Sequence, residues 1–155
     1  MNAIAVVDTT VLCRFLGVRD STEEQEAIRK SYVERIGAGE RIFLPLATIL
    51  ETGNHIGQVA DGNLRRHFAV KLCDLVQKAR QVPAAVPLLP LGDWQDEDIE
   101  SFLAQFPDWV GEGSGLGDLA IHHDWERLCK SNVGRRVYIW ALDEHLAAFD
   151  RSPAI

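Results

Sequence analysis

Ala3-Ile4-Ala5-Val6-Val7-Asp8-Thr9-Thr10 is the stretch on which the reading of this chain turns. Five apolar residues in succession leave no polar face, the pattern of a strand buried on both sides in a parallel sheet. The run stops at a carboxylate. Residues 136–141 form a second run of the same kind, and Asp143 follows it. Between the two, residues 41–44 read as a short strand. Helical spacing predicts helices over 21–36, 63–80, 93–106 and 116–130, and Pro45 suits the start of one more. Pro83, Pro87 and Pro90 cut residues 82–91 into extended pieces fit for a sheet edge. Residues 107–115 read as a loop, with Ser114 as N-cap of the helix that follows. Strands alternating with helices predict an α/β sandwich around a parallel sheet. Ligands in such sheets bind beyond the carboxyl ends of the strands, where Asp8 and Asp143 stand.

A chain of 155 residues, 46% hydrophobic and 25% charged, has the size and composition of one globular domain, here residues 1–155. Its longest apolar runs are far short of the roughly 18–20 residues that cross a bilayer. The start Met1-Asn2-Ala3-Ile4 has no basic region and no cleavage site, so a cytoplasmic protein is expected. Cys13, Cys73 and Cys129 lack metal-ligand spacing and lie among apolar residues, which places them in the core as small hydrophobes. The net charge of −7 opposes non-specific polyanion binding. Two bound divalent cations would remove more than half of that excess and put positive charge where a phosphate must sit.

Four acids each interrupt an otherwise apolar stretch. Asp8 ends the first strand and Asp143 follows the last. Glu51 lies about two turns into the helix opening at Pro45, beside Leu46, Ile49 and Leu50, and Asp118 sits between Leu116 and Leu119-Ala120-Ile121. Taken singly, a strand-end Asp is most simply a helix cap or a turn former. Taken together, buried unpaired carboxylates cost several kcal/mol each and so bind protons, pair with bases or hold a cation. Mg²⁺ or Mn²⁺, hard ions that want oxygen ligands, fit such a set.

These residues carry a resemblance. Val6-Val7-Asp8-Thr9-Thr10-Val11-Leu12 resembles the opening strand of PIN domains, the fold of the VapC-type toxins, in which a hydrophobic strand ends in Asp followed by Ser or Thr. Pro45-Leu46-Ala47-Thr48-Ile49-Leu50-Glu51 is similar to that family's Glu-bearing helix. Leu116-Gly117-Asp118-Leu119-Ala120-Ile121 resembles its Leu-x-Asp-x-x-Ile element, and residues 137–149 resemble its closing strand, Asp and Phe. The elements occur in the family's order across nearly the whole chain. Ala141 departs from the pattern, standing where the family often has Thr or Ser, and 107–115 is longer than the family's connection.

The resemblance implies a three-layer α/β/α sandwich with a central, mostly parallel sheet in the order 3-2-1-4-5. It implies an endoribonuclease in which Asp8, Glu51, Asp118 and Asp143 hold one or two Mg²⁺ or Mn²⁺ ions for RNA hydrolysis, with Glu51 also able to position the attacking water. It further implies a homodimer and, if the chain is the toxin of a toxin–antitoxin pair, a small antitoxin partner. Thr10 could hold Asp8 through its hydroxyl, or make a local turn.

Other candidates have plainer readings. His122, one turn after Asp118, is a conceivable ligand or proton carrier, whereas His123 points elsewhere and His55, His67 and His145 read as surface or partly buried. Arg65, Arg66, Arg135 and Arg136 could meet phosphates, although basic pairs are usually solvated surface. All four tryptophans could offer stacking platforms for bases, but Trp125 and Trp140 read more simply as core, while Trp109, in the 107–115 loop near the proposed cleft, and Trp94 keep that alternative open. Asp93, Asp96, Glu97, Asp98 and Glu100 read as the acidic start of a helix. Haloacid-dehalogenase phosphotransferases need Asp where Thr10 stands, and response-regulator receivers need an acidic pair before the first Asp. The remaining rival is a catalytically silent PIN-like module that binds RNA or protein.

Overall fold

The computed structural model describes residues 2–19, 21–81, 88–89 and 94–153. The strand at Ile4–Val7 (β1) is buried at all four residues, and its alternate side chains enter two different apolar clusters. Ala5 and Val7 pack with Val11, Leu12, Leu16, Ile28, Ile56 and Leu72. Ile4 and Val6 pack with Phe43, Ile121, Leu128 and Leu146. A strand with both faces buried has to be apolar throughout, and each buried Val or Ile side chain contributes about 1.5–3 kcal/mol.

The remaining elements follow as Thr9–Leu16 (α1), Thr22–Gly37 (α2), Arg41–Pro45 (β2), Leu46–Gly57 (α3), Gly62–Gln81 (α4), Leu88–Leu89 (β3), Asp96–Gly111 (α5), Leu116–Ser131 (α6), Val137–Trp140 (β4), Glu144–Ala147 (α7) and Asp150–Arg151 (β5). The strands lie in the order β3-β2-β1-β4-β5. β1 runs parallel to β2 and β4, pairing Ala5 with Ile42 and Tyr138, while β5 is antiparallel to β4. Arg136 closes that edge with a two-pronged ion pair to Asp150 at 2.9 and 2.6 Å.

The expected three-layer α/β/α sandwich about a central, mostly parallel sheet is corrected. Roughly two-thirds of the described residues are helical, in seven helices, and the sheet is small and mixed, with β3 and β5 only two residues each. The reason is local. Thr9-Thr10, where no helix was expected, opens α1, because the Asp8 side chain accepts the Thr10 amide and caps it. Gly17, at φ 82°, ends this helix in the left-handed region. The segment read as a loop from 107 is the last turn and more of α5, which continues through Pro107 to Gly111. A proline there removes one backbone bond, and the Trp109 side chain packed into the second apolar cluster compensates.

The helices at 21–36, 63–80 and 116–130 agree with α2, α4 and α6 to within about a residue at either end. The predicted edge strand at 82–91, with Pro83, Pro87 and Pro90, lies outside the described residues except at β3, as does Asp93. Cys129 is buried and Cys13 partly so, but Cys73 is exposed on α4, which corrects its placement in the core. Among the described residues no helix is long and apolar enough to cross a membrane.

Candidate functional site

Asp8, Glu51, Asp118 and Asp143 all line one cleft of about 860 Å³. Their positions follow from the elements that carry them. β1 delivers Asp8 at its carboxyl end, α3 carries Glu51, α6 carries Asp118 in its first turn, and Asp143 stands at the head of α7.

Asp8 is the most enclosed, with 1% of its surface exposed. Thr10 donates to Asp8 Oδ2 twice, from its hydroxyl at 2.6 Å and its amide at 3.2 Å. Oδ1 is buried and has no hydrogen-bond partner among the described residues. Burial raises the Asp8 pKa to about 6; the Thr10 bonds and the Thr9 amide oppose the rise, and the negative charge of Asp118 adds to it.

The Thr9 hydroxyl donates to Glu51 Oε2 at 3.0 Å, tying α1 to α3. Gly117 makes this possible, since a Cβ at that position would overlap the Glu51 carboxylate. α3 is itself held against the sheet by Thr48, whose buried hydroxyl donates to the Val7 carbonyl at 2.7 Å. Asp118 Oδ2 accepts the Gly115 amide at 3.1 Å. Asp143 Oδ1 accepts the amides of His145 and Leu146 at 2.9 and 3.1 Å, so Asp143 caps α7 as well as lining the cleft. Asp8 likewise caps α1. The plain capping reading therefore holds for both strand-end acids, and leaves one oxygen of Asp8 unsatisfied.

Several lining residues escaped the sequence. Ser114, expected as an N-cap, yields that position to Gly115, and its hydroxyl shares a 2.8 Å hydrogen bond with His145 Nδ1. His145 and His55 line the cleft, along with Arg14 and Arg19. A signal for His145 existed in its place two residues after Asp143; nothing marked Ser114.

Other expectations are corrected. His122, buried among Trp109, Trp125 and Phe149, does not line the cleft, and burial lowers its pKa. Trp109 belongs to α5 and packs against His122, His145 and Phe149 instead of offering a loop platform. Trp94 meets Phe102 edge-on and packs at a tilt against His123. Arg136 is engaged by Asp150, and Arg65 donates to the Val59 carbonyl.

Comparison of the chain with protein-family models and with curated proteins finds no match.

All the candidate ligand atoms are carboxylate oxygens, a donor set suited to Mg²⁺ or Mn²⁺. Among the described residues no three His, Cys, Asp or Glu side chains gather closely enough to hold an ion as they stand. Mg²⁺ keeps several of its waters and takes only one or two carboxylates directly, so acids spread along a cleft with one buried unsatisfied oxygen fit that mode of binding.

Proposed function

We propose that this chain is a metal-dependent endoribonuclease of the PIN kind, hydrolysing RNA phosphodiester bonds with Mg²⁺ or Mn²⁺. The observation that carries the reading is that four carboxylates from distant parts of the chain line one cleft, and that the most buried of them keeps an oxygen without a partner. A divalent cation, when bound, supplies Lewis acidity and neutralises charge developing on the phosphoryl oxygens. Asp8, Asp118 and Asp143 would hold it. Thr10 orients Asp8 through its hydroxyl, and Thr9 orients Glu51, which would bind the cation or position the attacking water. Arg19 and Arg14, the latter 3.5 Å from Glu24, bring positive charge to a cleft that also holds five acids, which suits a phosphodiester backbone.

A second reading, a module that binds RNA or protein without cutting, is favoured by the spread of the acids. Cleavage of a mixed RNA pool by purified protein with Mg²⁺, Mn²⁺ or EDTA separates the two. The nuclease reading expects metal-dependent cutting that Asp8→Asn and Asp118→Asn each reduce by at least about a hundredfold. Cutting that both variants retain refutes the assigned site, and no cutting under any condition moves the assignment to the binding module.

A further inference from the structure

Only part of the apolar arc of α5 is buried. Phe102 and Trp109 face inward, Phe102 onto Trp94 and Trp109 onto His122 and Phe149 of the second cluster. Ile99, Leu103 and Val110 are 42%, 61% and 50% exposed. With the half-buried Phe106 they recur at intervals of four, three and four residues. At ~100° per residue these four fall within about 60° of arc, a straight seam of the spacing by which two helices pack side by side. The seam is about 16 Å long.

Its charge has one sign. Asp96, Glu97, Asp98, Glu100 and Asp108 lie on α5, and the helix has no Lys or Arg. Asp98 is taken up locally, accepting the Gln95 amide at 3.0 Å and lying 4.0 Å from His123. Asp96 and Glu100 lie about 60–100° round the helix from Ile99 and border the seam on its open side. RNA and anionic membrane surfaces are repelled by such a border.

A second copy of this chain also fits poorly. Two α5 seams face to face would leave Asp96 and Glu100 of each helix with no cation on the other to meet them. The basic helix α4, with Arg65, Arg66, Lys71, Lys78 and Arg80, exposes Leu64 and Val70, but these are six residues apart and fall on faces about 120° from each other. It has no seam to match.

We propose that the exposed face of α5 is a docking surface for a cationic amphipathic helix of another protein. The partner's aliphatic side chains, spaced four and three apart, fill the line Ile99, Leu103, Phe106 and Val110, and its Lys or Arg residues meet Asp96 and Glu100. This surface is argued without reference to the cleft, and it stands or falls independently of the ribonuclease.

The test uses the full chain and a fluorescent helical peptide of about 20 residues with Leu at seam spacing and flanking Lys and Arg, its binding read by anisotropy. Wild type is expected to bind it about tenfold or more tightly than a scrambled peptide of the same composition. Leu103→Asp and Val110→Asn are each expected to weaken it by a similar factor with unchanged circular dichroism, and Val33→Asp on α2 to leave it alone. Asp96→Asn with Glu100→Gln should weaken binding several-fold and flatten its salt dependence. Equal binding of seam and scrambled peptides, indifference to Leu103→Asp, or no binding overturns the proposal. Sedimentation that finds a wild-type dimer abolished by Leu103→Asp also overturns it, assigning the face to a second copy.

Discussion

At the scale of single residues the sequence singled out acids that interrupt apolar stretches, and this physical oddity is why Asp8, Glu51, Asp118 and Asp143 could be named without coordinates. The same logic missed Asp124, which sits in α6 among residues that look amphipathic yet is buried. Burial raises its pKa to about 6, with Arg127 opposing the rise. A folded-state pKa above the unfolded value means that the unfolded chain gives up its proton first as pH rises. Stability is therefore lost between about pH 4 and pH 6 and is level above that, by at most about 3 kcal/mol for this group. Asp124→Asn is expected to raise the melting temperature at pH 7.5, to change it little at pH 4, and to leave RNA cleavage intact. A variant equally stable with wild type at both values would show that Asp124 is better solvated than its surroundings indicate. The pairing of Ser114 with His145 was illegible for a different reason: two side chains 31 positions apart leave no periodic trace.

At the scale of elements, legibility followed apolar periodicity. β1 and β4 announce themselves because both faces are buried, and α2 because Ser21 and Glu24 form a reciprocal cap before it. α1 was missed because Thr9, Thr10 and Val11 favour extended backbone when read in isolation, while capping by Asp8 decides the matter. α5 was cut short at Pro107 by a rule that tertiary packing of Trp109 overrides. The approach of α6 to α3 is subtler. It depends on Gly117 having no side chain where the Glu51 carboxylate passes. Gly117→Ala should displace Glu51 and break its bond to Thr9, lowering the cleavage rate about tenfold. The melting temperature should hold or rise, since alanine is the better helix former. A fall in stability with an unaltered rate would show that the gap serves packing alone.

Over the whole molecule the helices outweigh the sheet, a proportion that reading strands from a few apolar runs could not reveal. Charge acts at this scale too. A chain of net −7 whose cleft is lined by acids should bind RNA weakly in EDTA. Mn²⁺ should tighten binding of a phosphorothioate RNA by about tenfold or more, with a log–log salt slope no steeper than about −3. Strong, steeply salt-dependent binding in EDTA would instead point to a basic surface such as α4 as the RNA site. The cleft also joins the two ends of the chain, because the Leu142 amide donates to the Thr10 hydroxyl at 3.0 Å and that hydroxyl donates to Asp8. A hydroxyl has a single hydrogen to give, so the Leu142–Thr10–Asp8 line has one direction. Asp8 Oδ2 is committed as an acceptor to two Thr10 donors, and a newcomer meets Oδ1, making proton and cation rivals for the same oxygen.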